Sequence, residues 1–318
     1  KAFAKKVMEE ASVPTARAHE ARTLPEAEAA LDEFGSPYVV KDDGLAAGKG
    51  VVVTEDRAVA VEHARACFEA GGSVVIEEYL DGPEVSLFVI SDGKNVLPLS
   101  PAQDFKRIFD NDEGPNTGGM GAYTPLPWLP EGFVQEVVEK VARPTVARMA
   151  ERGTPFVGVL FCGLAVTNRG VRVIEFNARF GDPETQVVLP LLESDLLTVM
   201  ESTTNGTLDT TEVKFRDGAA ACVILASGGD PLSYEKGKEI SGLAAGQLDA
   251  ADVTVYHAGT AIKDGKLVTN GGRVLGVTAT ANTLPDALKK AYAATENIHF
   301  DKLHKRSDIG ARALAAME

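Results

Sequence analysis

The sequence predicts a mixed α/β (α+β) chain folded as two domains, and three observations carry that expectation. Short apolar runs of β-branched residues alternate with helical stretches over residues 38–78, the pattern of a sheet covered by helices. The length of 318 residues exceeds what one small core needs, and the character of the chain changes beyond Asp195. The run Val173-Ile174-Glu175-Phe176-Asn177-Ala178-Arg179 alternates as a strand, with Glu175, Asn177 and Arg179 on one face and Ile174, Phe176 and Ala178 on the other. That polar face is also the first functional lead. Oxygen ligands suit a hard cation such as Mg²⁺, and a guanidinium makes a planar fork to phosphate or carboxylate.

Residues 1–10 read as a short helix, after which Pro14, Pro25 and Pro37 punctuate a second helical stretch rich in Ala and Glu. Strands at 38–40 and 51–53 bracket the loop Lys41-Asp42-Asp43-Gly44-Leu45-Ala46-Ala47-Gly48-Lys49-Gly50. A helix over 57–69 and a strand over 73–78 follow, and residues 84–91 and 95–99 form a hairpin about Asp92-Gly93. Residues 100–128 hold several Pro and Gly and little apolar periodicity, which predicts a long, ordered, functional loop. An amphipathic helix over 131–152 is interrupted by Pro144, and strands over 158–167 and 171–177 turn at Asn168-Arg169-Gly170. Beyond it lie a helix from Asp195 to about Asn205 and strands near 219–225, 253–257 and 274–281. Thr283 before Pro285 starts another helix, and a terminal helix begins at Asp308. The domains are expected at 1–195, with a flap subdomain about 14–84, and at 196–318.

The 32 basic and 46 acidic residues give a net charge of −14, which argues against nucleic-acid or anionic-membrane partners. No run of eighteen apolar residues and no signal-peptide core are visible, so a cytoplasmic enzyme is expected. Cys67, Cys162 and Cys222 lack the spacing of metal or redox sites and read as buried small hydrophobes; the five histidines show no metal-ligand spacing. The start on Lys1, inside a helix, suggests that an amino-terminal segment precedes it.

The glycine-rich loop is not a P-loop. Gly44 to Gly48 is one residue too short, Gly50 stands where Ser or Thr should be, and a Val strand follows where a helix should start. A strand-loop-strand flap is predicted instead, in which glycine N–H groups, Gly48 and Gly50 among them, approach phosphate oxygens while Lys41 supplies a point charge. The plainer alternative is a hairpin loop with solvated lysines. Glu77-Glu78-Tyr79-Leu80-Asp81-Gly82-Pro83-Glu84 runs off one strand and into another, leaving Glu78 and Leu80 backbone for a planar ring and Glu84 for ribose hydroxyls. A solvated hairpin carboxylate would also explain Glu84. Gln103-Asp104-Phe105-Lys106-Arg107 and Gly114-Pro115-Asn116-Thr117-Gly118-Gly119-Met120-Gly121 add charges and N–H donors suited to a small zwitterion or a phosphate. No Gly-x-Ser-x-Gly elbow, zinc pattern or Gly-x-Gly-x-x-Gly fingerprint occurs, which leaves phosphate chemistry with Mg²⁺.

Taken together, residues 41–53, 77–86, 103–107, 114–123 and 175–186 resemble the ATP-grasp glycinamide ribonucleotide synthetases, also called phosphoribosylamine–glycine ligases. The likeness runs nearly end to end. It implies ATP held between two small sheets, with Lys1 and Lys41 on its phosphates, Glu77 near the adenine amino group, Glu78 and Leu80 backbone at the ring edge and Glu84 on the ribose. It implies Mg²⁺ or Mn²⁺ on Glu175 and Asn177, and Arg179 on the phosphate of phosphoribosylamine. Asp104, Lys106, Arg107, Asn116, Thr117, Gly118, Gly119 and Asp182 would line the glycine and amine site, with Arg179, Asp104 and Lys41 serving catalysis. The implied reaction joins glycine to 5-phosphoribosylamine through glycyl phosphate, in de novo purine biosynthesis. A ligase for another acid and amine, or an ATP-binding module without catalysis, are the alternatives. Three departures stand out: Phe105 where the family usually has His, Asp42 where it usually has Ala, and the absence of the family's amino-terminal domain.

Overall fold

The computed structural model describes residues 1–44, 50–243 and 252–317. The chain forms two compact units, one of Lys1–Val85, Val89–Pro98 and Gly132–Ala178, the other of Ser86–Phe88, Leu99–Glu131 and Arg179–Glu318. Among the described residues no helix is long and apolar enough to cross a membrane.

In the first unit, an antiparallel sheet runs in the order Ala18–Ala21, Val74–Glu77, Tyr38–Asp42, Val51–Thr54. Helices Leu24–Phe34 and Arg57–Glu69 cover one face of it. The first starts on a capping box, with the Thr23 side chain and Glu26 satisfying each other's backbone N–H groups and Pro25 in the opening turn. The Asp56 carboxylate accepts from the Ala58 N–H to start the second. Val40, Val74 and Ile76 bury against Leu31, Ala60 and Ala64. The register pairs Val40 with Ile76 and Val39 with Glu77. Alternation therefore turns Lys41 and Glu77 to the face away from the helices, where both are nonetheless buried.

A second sheet has the order Gly170–Asn177, Val157–Thr167, Glu84–Asp92, Val96–Pro98. Its register steps from Gly163 opposite Glu175 to Leu164 opposite Val173, so Ile174 is an extra residue, a β-bulge. Pro144 does not interrupt its helix as expected. Helices Phe133–Val137 and Arg143–Glu151 are joined by a π-helical turn, Val138–Ala142, closed by the Arg143 N–H on the Val138 carbonyl. The wider turn absorbs the missing Pro144 N–H without ending the helix.

In the second unit, strands run in the order Val253–His257, Arg273–Ala281, Ala219–Ser227, Gly121–Thr124, Gln103–Asp104, and Leu303–His304 pairs with the end of Ala219–Ser227. Helix Leu284–Thr295 packs on the two long central strands. The stretch expected to be irregular holds four short strands. Gln103–Asp104 and Gly121–Thr124 join that sheet, while Arg107–Phe109 pairs with Glu113–Asn116. Strands of two to four residues are too short for their periodicity to be read. Thr260–Lys263 and Lys266–Thr269 form a hairpin on the turn Asp264-Gly265, both at positive φ, an Asp-Gly signal of the same kind as Asp92-Gly93 that the sequence expectation passed over. The last helix is Ala311–Ala315, beginning later than Asp308 because Gly310 sits at φ +83°, outside helical geometry.

Candidate active site

The inner face of the first unit gathers the nucleotide candidates. Lys41 Nζ lies 2.9 Å from Glu77 Oε2 and donates to the Ile174 carbonyl at 3.0 Å. That carbonyl is available because the bulge displaces it from the ladder. Glu77 Oε1 in turn lies 3.2 Å from Lys5 Nζ. The Lys5 ammonium also donates to Thr15 Oγ1 at 2.8 Å and to the Ala16 carbonyl at 3.1 Å. Burial outweighs the attraction of Glu77 and lowers the Lys5 pKa to about 8. The resemblance puts Glu77 near an adenine amino group; in the structure both of its oxygens face ammonium groups.

At the strand exit the Glu78 N–H is taken by the Arg17 carbonyl at 3.0 Å, which corrects the expectation that this donor is free for a ring. The Glu78 carbonyl and the half-buried Leu80 are what this turn offers. The Glu78 carboxylate pairs with Arg17 at 3.2 Å and Arg169 at 3.3 Å. Burial raises its pKa, but the Arg17 hydrogen bonds and the two cationic charges more than offset that and hold it below the ordinary glutamate value. Glu84 is exposed at the start of its strand.

Lys1 Nζ donates to the carbonyls of Asp42 at 2.5 Å and Gly44 at 3.1 Å, where the glycine-rich loop leaves its strand. The loop re-enters at Gly50, whose carbonyl accepts from the Asp42 N–H at 2.7 Å. Gly48 lies outside the described residues. The Asp42 carboxylate caps the Gly44 N–H at 2.8 Å, so the unusual charge is spent on the loop's own backbone.

Glu175 and Asn177 do stand side by side, with Asn177 Nδ2 3.4 Å from Glu175 Oε1. Opposite Glu175 is Gly163, where a Cβ would lie only 3.2 Å from Glu175 Cγ. A carboxylate and an amide on one strand face are the oxygen donors that Mg²⁺ or Mn²⁺ takes, and the pair fits such an ion. Among the described residues no cluster of three His, Cys, Asp or Glu that could hold a metal occurs. The regular strand ends at Asn177, so alternation does not extend to Arg179. Arg179 is exposed and donates to the Phe180 carbonyl at 2.9 Å.

In the second unit the glycine-rich segment folds back on Asp104. The Thr117 N–H and Oγ1 donate to the Lys106 carbonyl at 2.7 and 3.0 Å, and the Gly119 N–H donates to Thr117 Oγ1 at 3.0 Å. A Cβ on Gly119 would sit 2.5 Å from Asp104 Oδ1, and its φ of +111° is one only glycine adopts freely. Arg107 donates to the Gly114 carbonyl at 2.6 Å, closing the hairpin that ends at Asn116. The Asp182 carboxylate receives Arg273 at 2.9 Å and Gln186 at 2.6 Å. Arg273 also donates to the carbonyls of Gly119 at 3.3 Å and Asp182 at 3.1 Å. Asp104, Thr117, Gly118, Gly119 and Asp182 are thereby brought together.

Residues 1–185 match the family model of the phosphoribosylglycinamide synthetase ATP-grasp (A) domain, and residues 220–312 match that of its C domain. The chain belongs to the phosphoribosylglycinamide synthetase family. It is 57% identical over 316 residues to a phosphoribosylamine–glycine ligase of Leifsonia xyli, covering 98% of this chain and 75% of that protein. For the ligase of Streptomyces coelicolor the identity is 55% over 318 residues, covering 99% and 76%. The crystal structure of the Thermotoga maritima ligase superposes with a TM-score of 0.86 at 36% identity, covering 97% of this chain and 78% of that one. The biotin carboxylase domain of Hydrogenobacter thermophilus 2-oxoglutarate carboxylase, solved with MgADP, shares the fold alone, with a TM-score of 0.72 at 18% identity, covering 100% of this chain and 69% of that one. This family member is an ATP-grasp ligase.

Three synthetase residues escaped the reading of the sequence. Lys5 lies one helical turn after Lys1, and that spacing was the available signal. Arg273 follows Gly271-Gly272, a signal only once the approaching backbone is known. Arg306 is wholly buried, donates to Asp112, Asp308 and the Arg107 carbonyl, and lies 4.8 Å from the Phe105 ring centroid. Phe105, the departure from the family pattern, is thus a buried packing partner of a cation. The cysteines are buried as expected; burial raises the thiol pKa of Cys162 and of Cys222, the latter to about 12.

Proposed function

We propose that this chain carries the catalytic core of an enzyme that condenses glycine with 5-phosphoribosylamine, consuming ATP and releasing glycinamide ribonucleotide, ADP and phosphate. The observation that supports the reading is Lys41 Nζ on the Ile174 carbonyl at 3.0 Å, one residue from Glu175, as suits a lysine that meets phosphate beside a cation. A carboxylate resists amine attack because its oxygen leaves badly. Transfer of the γ-phosphoryl group to glycine gives an acyl phosphate; the amine attacks its carbonyl carbon, phosphate departs, and the nitrogen loses a proton.

The chain's residues have defined work in this scheme. Lys1 and Lys41 neutralise the triphosphate, the Glu78 carbonyl and Leu80 N–H fix the adenine edge, and Glu84 takes the ribose. Glu175 and Asn177 would hold Mg²⁺ or Mn²⁺, which supplies charge neutralisation and orientation of the phosphates. Asp104, Lys106, Arg107, Asp182 and the Asn116-Thr117-Gly118-Gly119 segment orient glycine and the amine, and Arg179 takes the ribose phosphate. The scheme needs positioning rather than a protein nucleophile, in keeping with cysteines buried as inert thiols. A chain-order division near residue 195 falls between the two family segments, and small soluble substrates are in keeping with work in the cytoplasm.

In the full-length protein, isotope-labelled glycine should enter product only with ATP and the amine together. Phosphate release that ignores both substrates would overturn the assignment.

A further inference from the structure

The nucleotide face of the first unit holds one carboxylate between two ammonium groups, and this arrangement says more than that Lys41 is ready for phosphate. The side chains of Lys5, Glu77 and Lys41 are 13%, 4% and 5% exposed. Lys41 and Glu77 meet because they are diagonal neighbours on adjacent strands, Glu77 standing opposite Val39. Lys5 reaches the other oxygen from helix Ala2–Glu10. It has three acceptors, Glu77, Thr15 and Ala16, for its three N–H groups, and is fully anchored. Lys41 has two, Glu77 and Ile174, which leaves a donor to offer.

We propose that Lys5 is a positioning residue for the ATP phosphates: acting through Glu77, it balances that carboxylate so that Lys41 can turn from the protein to the nucleotide. The proposal rests on the reading that Lys41 meets phosphate. A buried charge whose partner is removed is strongly destabilised. Were Glu77 paired with Lys41 alone, each approach of Lys41 to phosphate would strand a buried carboxylate beside an incoming anion. With Lys5 in place Glu77 keeps a partner, and the cluster carries one net positive charge toward the nucleotide.

The pH dependence follows. Facing Lys5 are Glu77 and Glu78 from the sheet, which favour its charge, and Lys41, which with burial opposes it. Arg172, from strand Gly170–Asn177, donates to the Thr15 carbonyl at 3.2 Å beside it. The balance puts the amine near 8, so Lys5 loses its charge as pH rises through that value. Glu77 is then left to Lys41, and ATP affinity falls.

The alternative is that Lys5 only staples its helix to the sheet. Calorimetric titration of the full-length protein with Mg-ATP, and ligand-observed NMR with adenosine, separate the two. Lys5→Met should weaken ATP by about tenfold, roughly 1.4 kcal/mol, and leave adenosine unchanged. Lys5→Arg, which stays charged at every accessible pH, should restore most of the ATP affinity and keep it level where wild type declines. Equal losses for ATP and adenosine, no loss at all, or a wild-type ATP affinity flat across the alkaline range would each overturn the proposal. Should Lys5→Met not fold, the comparison of wild type with Lys5→Arg across pH still decides it. Lys41→Met serves as the control for the underlying reading: ATP affinity unchanged there would sink the phosphate role of Lys41 and the proposal with it, whereas a loss for Lys41→Met with none for Lys5→Met would sink the role of Lys5 alone.

Discussion

Arg273 holds Asp182 by a 2.9 Å ion pair while the same guanidinium lies across the backbone of the Gly118-Gly119 turn. A Cβ on Gly118 would fall 2.5 Å from Arg273 Nη2, so glycine there is what lets the arginine lie flat. One planar fork thus joins two loops that both carry candidate substrate residues, and a lysine cannot reproduce it, having a point charge in place of a planar fork. Arg273→Lys should raise KM for glycine or the amine about tenfold, the scale of a lost hydrogen bond to a charged group, while ATP affinity stays put. Steady-state kinetics with each substrate varied checks this; a rise confined to ATP would contradict it.

Glu175 is half-buried beside Asn177 on a strand whose bulge fixes both. Glu175→Gln preserves shape and keeps one acceptor oxygen, but removes the charge and turns the other oxygen into an N–H donor. Turnover should fall roughly a hundredfold or more, the scale of losing one preorganised electrostatic partner. The Mg²⁺ concentration for half-maximal rate should rise with it. An unchanged metal dependence would place the cation elsewhere.

Arg306 ties the segment before the last helix to the substrate hairpin through Asp308, Asp112 and the Arg107 carbonyl. Removing a wholly buried guanidinium leaves Asp308 without its cationic partner, and Arg306→Met should cost about 3 kcal/mol in urea unfolding, at the low end for buried pairs because Asp112 is exposed. Burial raises the Asp308 carboxyl, but Arg306 and the Asn111 N–H hold it below the ordinary aspartate value. The folded pKa being the lower one, this contribution is complete above the ordinary aspartate value and is lost as pH falls below it toward the folded value. Wild type should therefore lose stability over that acidic interval faster than Arg306→Met does, and parallel curves would refute the linkage.

What the sequence made legible followed from local rules. The helix Arg57–Glu69 was readable to the residue, and the strand Tyr38–Asp42 nearly so, because their cores and caps are contiguous. Glu175 and Asn177 were readable because period-two alternation is local. The Ile174 bulge was not, since it exists only relative to Gly163 and Leu164 on another strand, and with it went the seat of Lys41. The roles of Lys5 on Glu77 and of Arg306 on the substrate hairpin lie in contacts between residues far apart in sequence; the one-turn spacing of Lys5 from Lys1 marks a shared helix face but not the carboxylate it meets.

The turn between Glu78 and Glu84 gives a last test, because one glycine sets its path. Gly82 has φ +135°, and a Cβ there would stand 2.2 Å from the Val166 carbonyl oxygen. That contact is with backbone, and Val166 donates its own N–H to the Pro83 carbonyl at 3.0 Å, so neither side can give way cheaply. Gly82→Ala should cost about 3 kcal/mol or more in stability from strain and overpacking together. The displaced turn carries Leu80 and Glu84, so the affinity for adenosine should fall as well as that for ATP. This is the opposite of the pattern expected for Lys5→Met, where only the phosphate-bearing ligand suffers. Thermal unfolding and adenosine binding measured on the same preparation decide it: a stable Gly82→Ala protein with unaltered adenosine binding would show that the turn does not set the nucleoside edge.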